Sequence, residues 1–237
     1  MDDWREVYID QFASAKSETE VFNQMQRIAR ELGFEHCAYG MRLPLPVSNQ
    51  RFFMMSDYPE HWVQRYVENN YFDIDPTVLH GLTETTPLLW SADQPASQAE
   101  FWEEARLHKL RHGWCMPAQG KYGLIGLLSL VRSADAITPV ERDEKELRMT
   151  WLTRLVHGAM SQQLAPQLMP ECEAELTTRE REVLKWTSTG KTYTEIGLIL
   201  AIDGRTVKFH LVNAMRKLNS ANKTEAAIKA SMLGMLF

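Results

Sequence analysis

From Leu176 to the C-terminus one local device recurs three times, as Thr177-x-x-Glu180, Thr192-x-x-Glu195 and Asn222-x-x-Glu225. The Thr versions are capping boxes: the hydroxyl accepts from the backbone N–H of the Glu, whose carboxylate accepts from the N–H of the Thr. Asn222 is an N-cap of simpler form. Starts placed this closely divide the tail into short helices and leave no room for a strand. The first helix is expected over Thr178 to Thr189, stopping at Gly190, and the second over Tyr193 to Leu200, burying Ile196, Ile199 and Leu200. A tight turn, Ala201-Ile202-Asp203-Gly204, leads to a third helix capped by Asp203, and a fourth covers Lys223 to Leu233.

The third helix places Val207, Leu211, Ala214, Met215 and Leu218 on one stripe, at i, i+4, i+7, i+8 and i+11. Its other face then carries Thr206, Lys208, Phe209, Val212, Asn213, Arg216 and Lys217. A helix anchored on its apolar side and basic on the other can enter the major groove of DNA, with side chains near its N-terminus reaching base edges. An ordinary solvated basic face would look the same in an isolated helix; the two preceding helices and the tight turn favour the groove-reading role.

Charge agrees with this division. The whole chain of 237 residues carries −5, but the part from Glu175 onward is +4 and the part before it −9. An acidic body with a basic tail approaches a polyanion through the tail alone. The composition, 44% hydrophobic and 24% charged, is that of a chain able to bury a core. No segment reaches the roughly 20 apolar residues of a membrane helix, and the acidic start Met1-Asp2-Asp3-Trp4 is unlike a signal peptide, so residence in the cytoplasm without membrane attachment is expected. Cys37, Cys115 and Cys172 lie far apart without metal-ligand spacing and read as buried, unpaired thiols; no metal or cofactor is expected.

Before the tail the pattern mixes elements. An amphipathic opening runs from Trp4 to Leu32, followed by strands at Glu35 to Met41 and Arg51 to Ser56 and helices at Glu60 to Glu68, Pro76 to Leu82 and Gln98 to Leu110. Trp114 to Pro117 and Leu124 to Val131 read as strands joined by a hairpin at Gln119 to Gly123, and a long helix covers Pro139 to Gln162. The segment around Pro166 and Pro170 reads as a linker. The expected organisation is α+β: an N-terminal α/β/α sandwich with a central antiparallel sheet over 1–163, a linker over 164–175, and an all-α four-helix domain over 176–237.

The tail resembles the LuxR-type helix-turn-helix, through Leu176-Thr177-x-Arg179-Glu180-x-Glu182-Val183-Leu184, Gly190-Lys191-Thr192, Glu195-Ile196, Arg205-Thr206-Val207-Lys208-x-His210 and Ala214-x-x-Lys217-Leu218. The resemblance implies contacts to double-stranded DNA from Lys191, Thr192 and Arg205 as well as from the exposed face of the third helix. It also implies dimer contacts from the fourth helix, to which an Ala226, Ala230 and Leu233 stripe corresponds. Ahead of the tail, Trp62-x-x-x-Tyr66, Asp75-Pro76 and Trp90, set among Tyr58-Pro59 and His112-Gly113-Trp114, resemble the acyl-homoserine lactone receptors of that family, those of the orphan kind in particular.

That likeness implies a quorum-sensing transcription regulator whose ligand is an N-acyl-homoserine lactone. Trp62 would donate to the lactone carbonyl, Asp75 accept from the amide N–H, and Tyr58 with Ser129 hold the amide carbonyl, while Tyr66, Val78, Trp90 and Leu127 wall the cavity. Ala38 stands where relatives carry a small hydroxyl residue. The ligand-bound homodimer would bind a palindromic promoter site, with RNA polymerase a candidate further partner. Each residue also has an ordinary structural reading, since aromatic residues at helical spacing pack cores and Asp before Pro caps a helix. A LuxR-type regulator answering to another small molecule or to none is the alternative. A lactone-processing enzyme is the remaining one, and no G-x-S-x-G, H-x-x-x-H or Gly-rich phosphate loop supports it.

Overall fold

A computed structural model describes residues 4–46, 51–93 and 97–236; the Met1-Asp2-Asp3 start lies outside them. The chain divides into two compact units, one built from residues up to 43, 51–120 and 124–163, the other chiefly from residues 164 onward.

The first unit is organised by five antiparallel strands: β1 (His36–Leu43), β2 (Arg51–Ser56), β3 (Leu88–Ser91), β4 (His112–Gln119) and β5 (Ile125–Arg132), in the spatial order β2-β1-β5-β4-β3. Side chains alternate across the sheet. In the β1–β5 pair, Ala38 faces Ser129 and Gly40 faces Leu127 on one side, while Tyr39 faces Leu128 and Cys37 faces Leu130 on the other. The second side is fully buried under α1 (Trp4–Ser14), α2 (Glu18–Glu31) and the long α6 (Pro139–Leu168). Polar bonds fasten that layer: Tyr39 Oη to His157 Nδ1 at 2.7 Å, Lys145 Nζ to the Leu32 carbonyl at 2.6 Å, and Arg148 Nη2 to Tyr8 Oη at 2.6 Å. The first side is covered by α3 (Glu60–Glu68), a 3-10 turn at Tyr71–Asp73, α4 (Pro76–Thr83) and α5 (Ala99–Leu107). This is the expected α/β/α sandwich, with small residues on the sheet face beneath α3 and α4.

Three local expectations are corrected. The amphipathic opening is two helices, because Ser17 adopts extended backbone and caps α2, accepting from the Glu20 N–H at 3.2 Å. β3 was absent from the pattern: four residues are too few to show an alternation, and its place is decided by pairing with β4. The long helix continues past Gln162 through Pro166 to Leu168, followed by a 3-10 turn at Pro170–Glu173, so most of the expected linker is helical. Pro166 removes one helical hydrogen bond near the helix end, and Leu164, Ala165 and Met169 around it are buried, which offsets that loss.

In the second unit the helices begin where the capping pattern predicts: α7 (Thr178–Ser188) and α8 (Tyr193–Leu200) with both halves of each capping box formed, α9 (Gly204–Lys217) behind Asp203, and α10 (Lys223–Met232) behind Asn222. Between α8 and α9 the backbone turns through Ala201 at φ 53, and Gly197 is required there, since a β-carbon would sit 2.7 Å from the Ile202 carbonyl oxygen. Val183, Leu184, Ile196, Val207, Leu211, Ala214 and Leu218 fill the core. Two expectations fail. Ile199 is 44% exposed, because so short a helix buries one narrow stripe through Ile196 and Gly197. The Ala226, Ala230 and Leu233 stripe of α10 is buried inside the unit, against α7 and α9, so it is not a free dimer surface; Ile228 and Met232 face outward instead.

Candidate functional site

The small residues of the sheet leave a cavity of about 500 Å³ of empty space, part of it open, lined on one side by Ala38, Gly40, Leu127 and Ser129 and on the other by α3, the 3-10 turn and the start of α4. Of the eight residues proposed from sequence, seven line it: Tyr58, Trp62, Tyr66, Asp75, Val78, Leu127 and Ser129. Trp62 is wedged by Tyr66, Tyr71, Phe101 and His108, with ring centroids 5.5 to 5.9 Å away, so its orientation is fixed by packing.

Trp90 is the exception. It does not line the cavity but stacks on Trp102 at 4.8 Å and lies over Gly113, where no β-carbon would fit; its buried Nε1 has no hydrogen-bond partner. Sequence reasoning also left out Gly40, Met54, Val63, Phe72 and Thr77, all of which line the cavity. Gly40 was recoverable from the period-two register with Ala38; Met54 and Phe72 come from elements whose orientation no local pattern fixes.

Asp75 is the electrostatic centre. It caps α4, its Oδ1 accepting from the Thr77 backbone N–H and from Thr77 Oγ1, both at 2.8 Å, while Oδ2 accepts from the Tyr66 hydroxyl at 2.8 Å. Burial pushes its pKa up, and the bonds from Thr77 and Tyr66 oppose that rise. Burial also pushes up the Tyr58 and Tyr66 hydroxyls, with the Asp75 charge adding to both, so both remain neutral donors. Each carboxylate oxygen has two lone pairs, and of the bonds given Oδ2 receives the one from Tyr66, which leaves it a lone pair for a further donor, while the Val78 backbone N–H also favours the anion. An amphipathic molecule with an N–H or O–H next to an apolar chain matches such a site.

On the second unit, Arg205, Lys208, Phe209, Val212 and Arg216 are exposed along α9, with Thr206 and Asn213 half-buried beside them. Phe209 at 62% and Val212 at 52% exposure are large apolar groups on an otherwise basic face. Lys217 does not join that face. Its Nζ donates to the Glu175 carbonyl at 2.9 Å and to Glu180 Oε2 at 2.7 Å, tying α9 to α7. At the start of α8, Thr192 is engaged in its capping box and Lys191 lies 3.4 Å from Glu195. Among the described residues no cluster of His, Cys, Asp and Glu could hold a metal, and no helix is long and apolar enough to cross a membrane. All three cysteines are free and buried.

Residues 17–160 match the autoinducer binding domain family, and residues 174–230 match the bacterial regulatory proteins of the luxR family. The chain belongs to the LuxR family. It is 40% identical to the transcriptional activator protein AnoR of Acinetobacter nosocomialis over 238 residues, covering 100% of each, and 42% identical to the transcriptional activator protein SolR of Ralstonia solanacearum over 234 residues, covering 99% of each. A solved structure of SdiA in complex with octanoyl-rac-glycerol superimposes with a TM-score of 0.87 at 31% identity, covering 100% of this chain and 97% of that one. This LuxR-family chain is therefore a ligand-binding, quorum-sensing transcription regulator with an autoinducer-binding domain and a DNA-binding helix-turn-helix.

Proposed function

We propose that the cavity binds an N-acyl-homoserine lactone, with a domain over 1–163 sensing it and a domain over 176–237 reading DNA. The observation that supports this best is the buried Asp75 carboxylate, held by Thr77 and Tyr66 with acceptor capacity left over and an apolar cavity beside it. The ligand's amide N–H would fill that acceptor position, Trp62 Nε1–H would hold the lactone carbonyl, and Tyr58 with Ser129 would donate to the amide carbonyl. Tyr66, Val78 and Leu127 would pack against the chain.

The ligand completes the core of the sensing domain and thereby favours a homodimer that binds a palindromic site, which linkage permits if ligand binds that state better. Two recognition helices α9 would then enter half-sites about one helical turn apart. Arg205, Thr206, Lys208, Phe209, Val212, Asn213 and Arg216 would contact DNA there, with Lys191 and Thr192 at the backbone. RNA polymerase would be the further partner of an activator, and the reading requires no chemistry on the ligand and a place in the cytoplasm.

Thermal unfolding against lactones of graded chain length tests the ligand class, since ligand at 100 times its Kd adds about 2.7 kcal/mol. A shift that peaks at one length supports the lactone. A second reading follows from the same acceptor: a monoacylglycerol offers Asp75 a hydroxyl in place of an amide, and SdiA has been solved with one. A shift with octanoylglycerol and with no lactone would favour it.

A further inference from the structure

Gly81 lies buried inside the eight-residue α4, where alanine is the better helix former. What it faces accounts for the glycine. A β-carbon there would stand 3.0 Å from Leu127 Cδ1 and 3.5 Å from Leu127 Cγ and Cδ2. Leu127 in turn lines two cavities: the one that holds Asp75 and Trp62, and a second of about 340 Å³ of empty space, part of it open, reaching toward Phe52, Leu82 and Ile125. Gly40, Phe72, Val78 and Leu127 belong to both walls, so these four residues stand between the two chambers. Among the described residues Arg42 is the sole charged one in the wall of the second chamber, which otherwise suits hydrocarbon.

We propose that Gly81 determines the acyl-chain length this protein accepts, by letting Leu127 rest against α4 and so leaving the passage into the second chamber open. The distal methylenes of a long chain occupy that chamber, while a short chain ends before Leu127. The proposal deepens the acyl-lactone reading and rests on it. A side chain at position 81 displaces Leu127 into the passage. Alanine requires a movement of a few tenths of an ångström, and valine requires more.

The test uses the full-length protein, titrated with butanoyl-, octanoyl- and dodecanoyl-homoserine lactone and followed by thermal unfolding. Each methylene kept out of an apolar chamber lowers affinity about fourfold. Gly81→Ala, which helix propensity favours, is expected to weaken dodecanoyl binding about fourfold. Gly81→Val is expected to weaken it about 15-fold, the equivalent of two methylenes. Butanoyl binding should change less than about twofold in both, the short chain burying none of its methylenes in that chamber. Adding Leu127→Ala to Gly81→Val should restore the long ligand in preference to the short. Equal weakening at every chain length, or no change with either variant, overturns the gate while leaving the ligand class in place. A wild-type protein that responds to none of the three overturns the lactone reading itself, before any variant is made.

Discussion

The Tyr66 hydroxyl donates to Asp75 Oδ2 across 2.8 Å, from the last turn of α3 to the cap of α4, so the residue that starts one helix is oriented by the other. Asp75 thus has two roles that substitution can separate. Asp75→Asn keeps an oxygen for the Thr77 N–H and removes the anion, whereas Asp75→Ala removes both. The Asn variant is expected to lose roughly 1.5–3 kcal/mol of ligand affinity, about 10- to 150-fold by titration. The Ala variant should lose about 1 kcal/mol of folding stability as well.

The same pair sets a pH dependence of stability without ligand. The folded pKa of Asp75 is raised, so its contribution is most favourable at low pH and is lost as pH rises through the folded value. Asp75→Asn should therefore gain stability relative to wild type at pH 7, a gain that vanishes in acid. Denaturant midpoints of both proteins at the two pH values measure the difference, and a constant offset would contradict it.

His157 acts in the opposite direction. Burial on the inner face of α6 lowers its pKa to about 4, a backbone hydrogen bond with Leu124 opposing the fall, and Nδ1 pairs with Tyr39. The unfolded chain takes up a proton near pH 6.5 and the folded chain only near 4, so stability falls as pH drops through that window. Between pH 7 and pH 5 the loss from this one group is roughly 2 kcal/mol. Replacing His157 by Gln should remove its share of that slope from the urea midpoint, leaving the carboxylates and His112, whose pKa burial also lowers.

Lys208 and Lys217 lie on one helix and are predicted to behave differently. Lys208 is exposed, and Lys208→Ala should weaken DNA binding across sequences and reduce the salt slope of log K by about 1. Lys217 is bonded to Glu175 and Glu180, so Lys217→Ala should lower the unfolding temperature and leave the salt slope unchanged. Gel-shift titrations at several salt concentrations, paired with melts, distinguish the two.

Phe209, the most exposed aromatic of α9, is expected to meet the 5-methyl group of a thymine, the apolar feature of the major groove. In a duplex selected by the full-length protein from random sequence, replacing that thymine by deoxyuridine should weaken wild type and leave Phe209→Ala unaffected. Equal sensitivity of both proteins would remove Phe209 from base reading.

The tail was almost wholly legible because its information is local. Thr177, Thr192, Asp203 and Asn222 each bond to a backbone N–H two or three residues away, and such caps act wherever the helix later packs. The Asp75 site was legible in part through likeness to a family; residue by residue, Trp62 and Tyr66 could equally have been core. The α10 stripe misled because periodicity reports that a face is buried, and not what buries it.

The sequence by itself determined where the helices of the DNA-reading unit start and which face of α9 stays outside, since caps and a 3.6-residue period are properties of neighbouring residues. It also determined the separation of an acidic body from a basic tail. Only the tertiary structure decided that β3 pairs with β4, that Trp90 stacks on Trp102 away from the cavity, that Lys217 is spent on Glu180, and that Gly81 meets Leu127. Each of these joins residues distant in the chain. Their meeting depends on how sheet and helices pack, which no local pattern records.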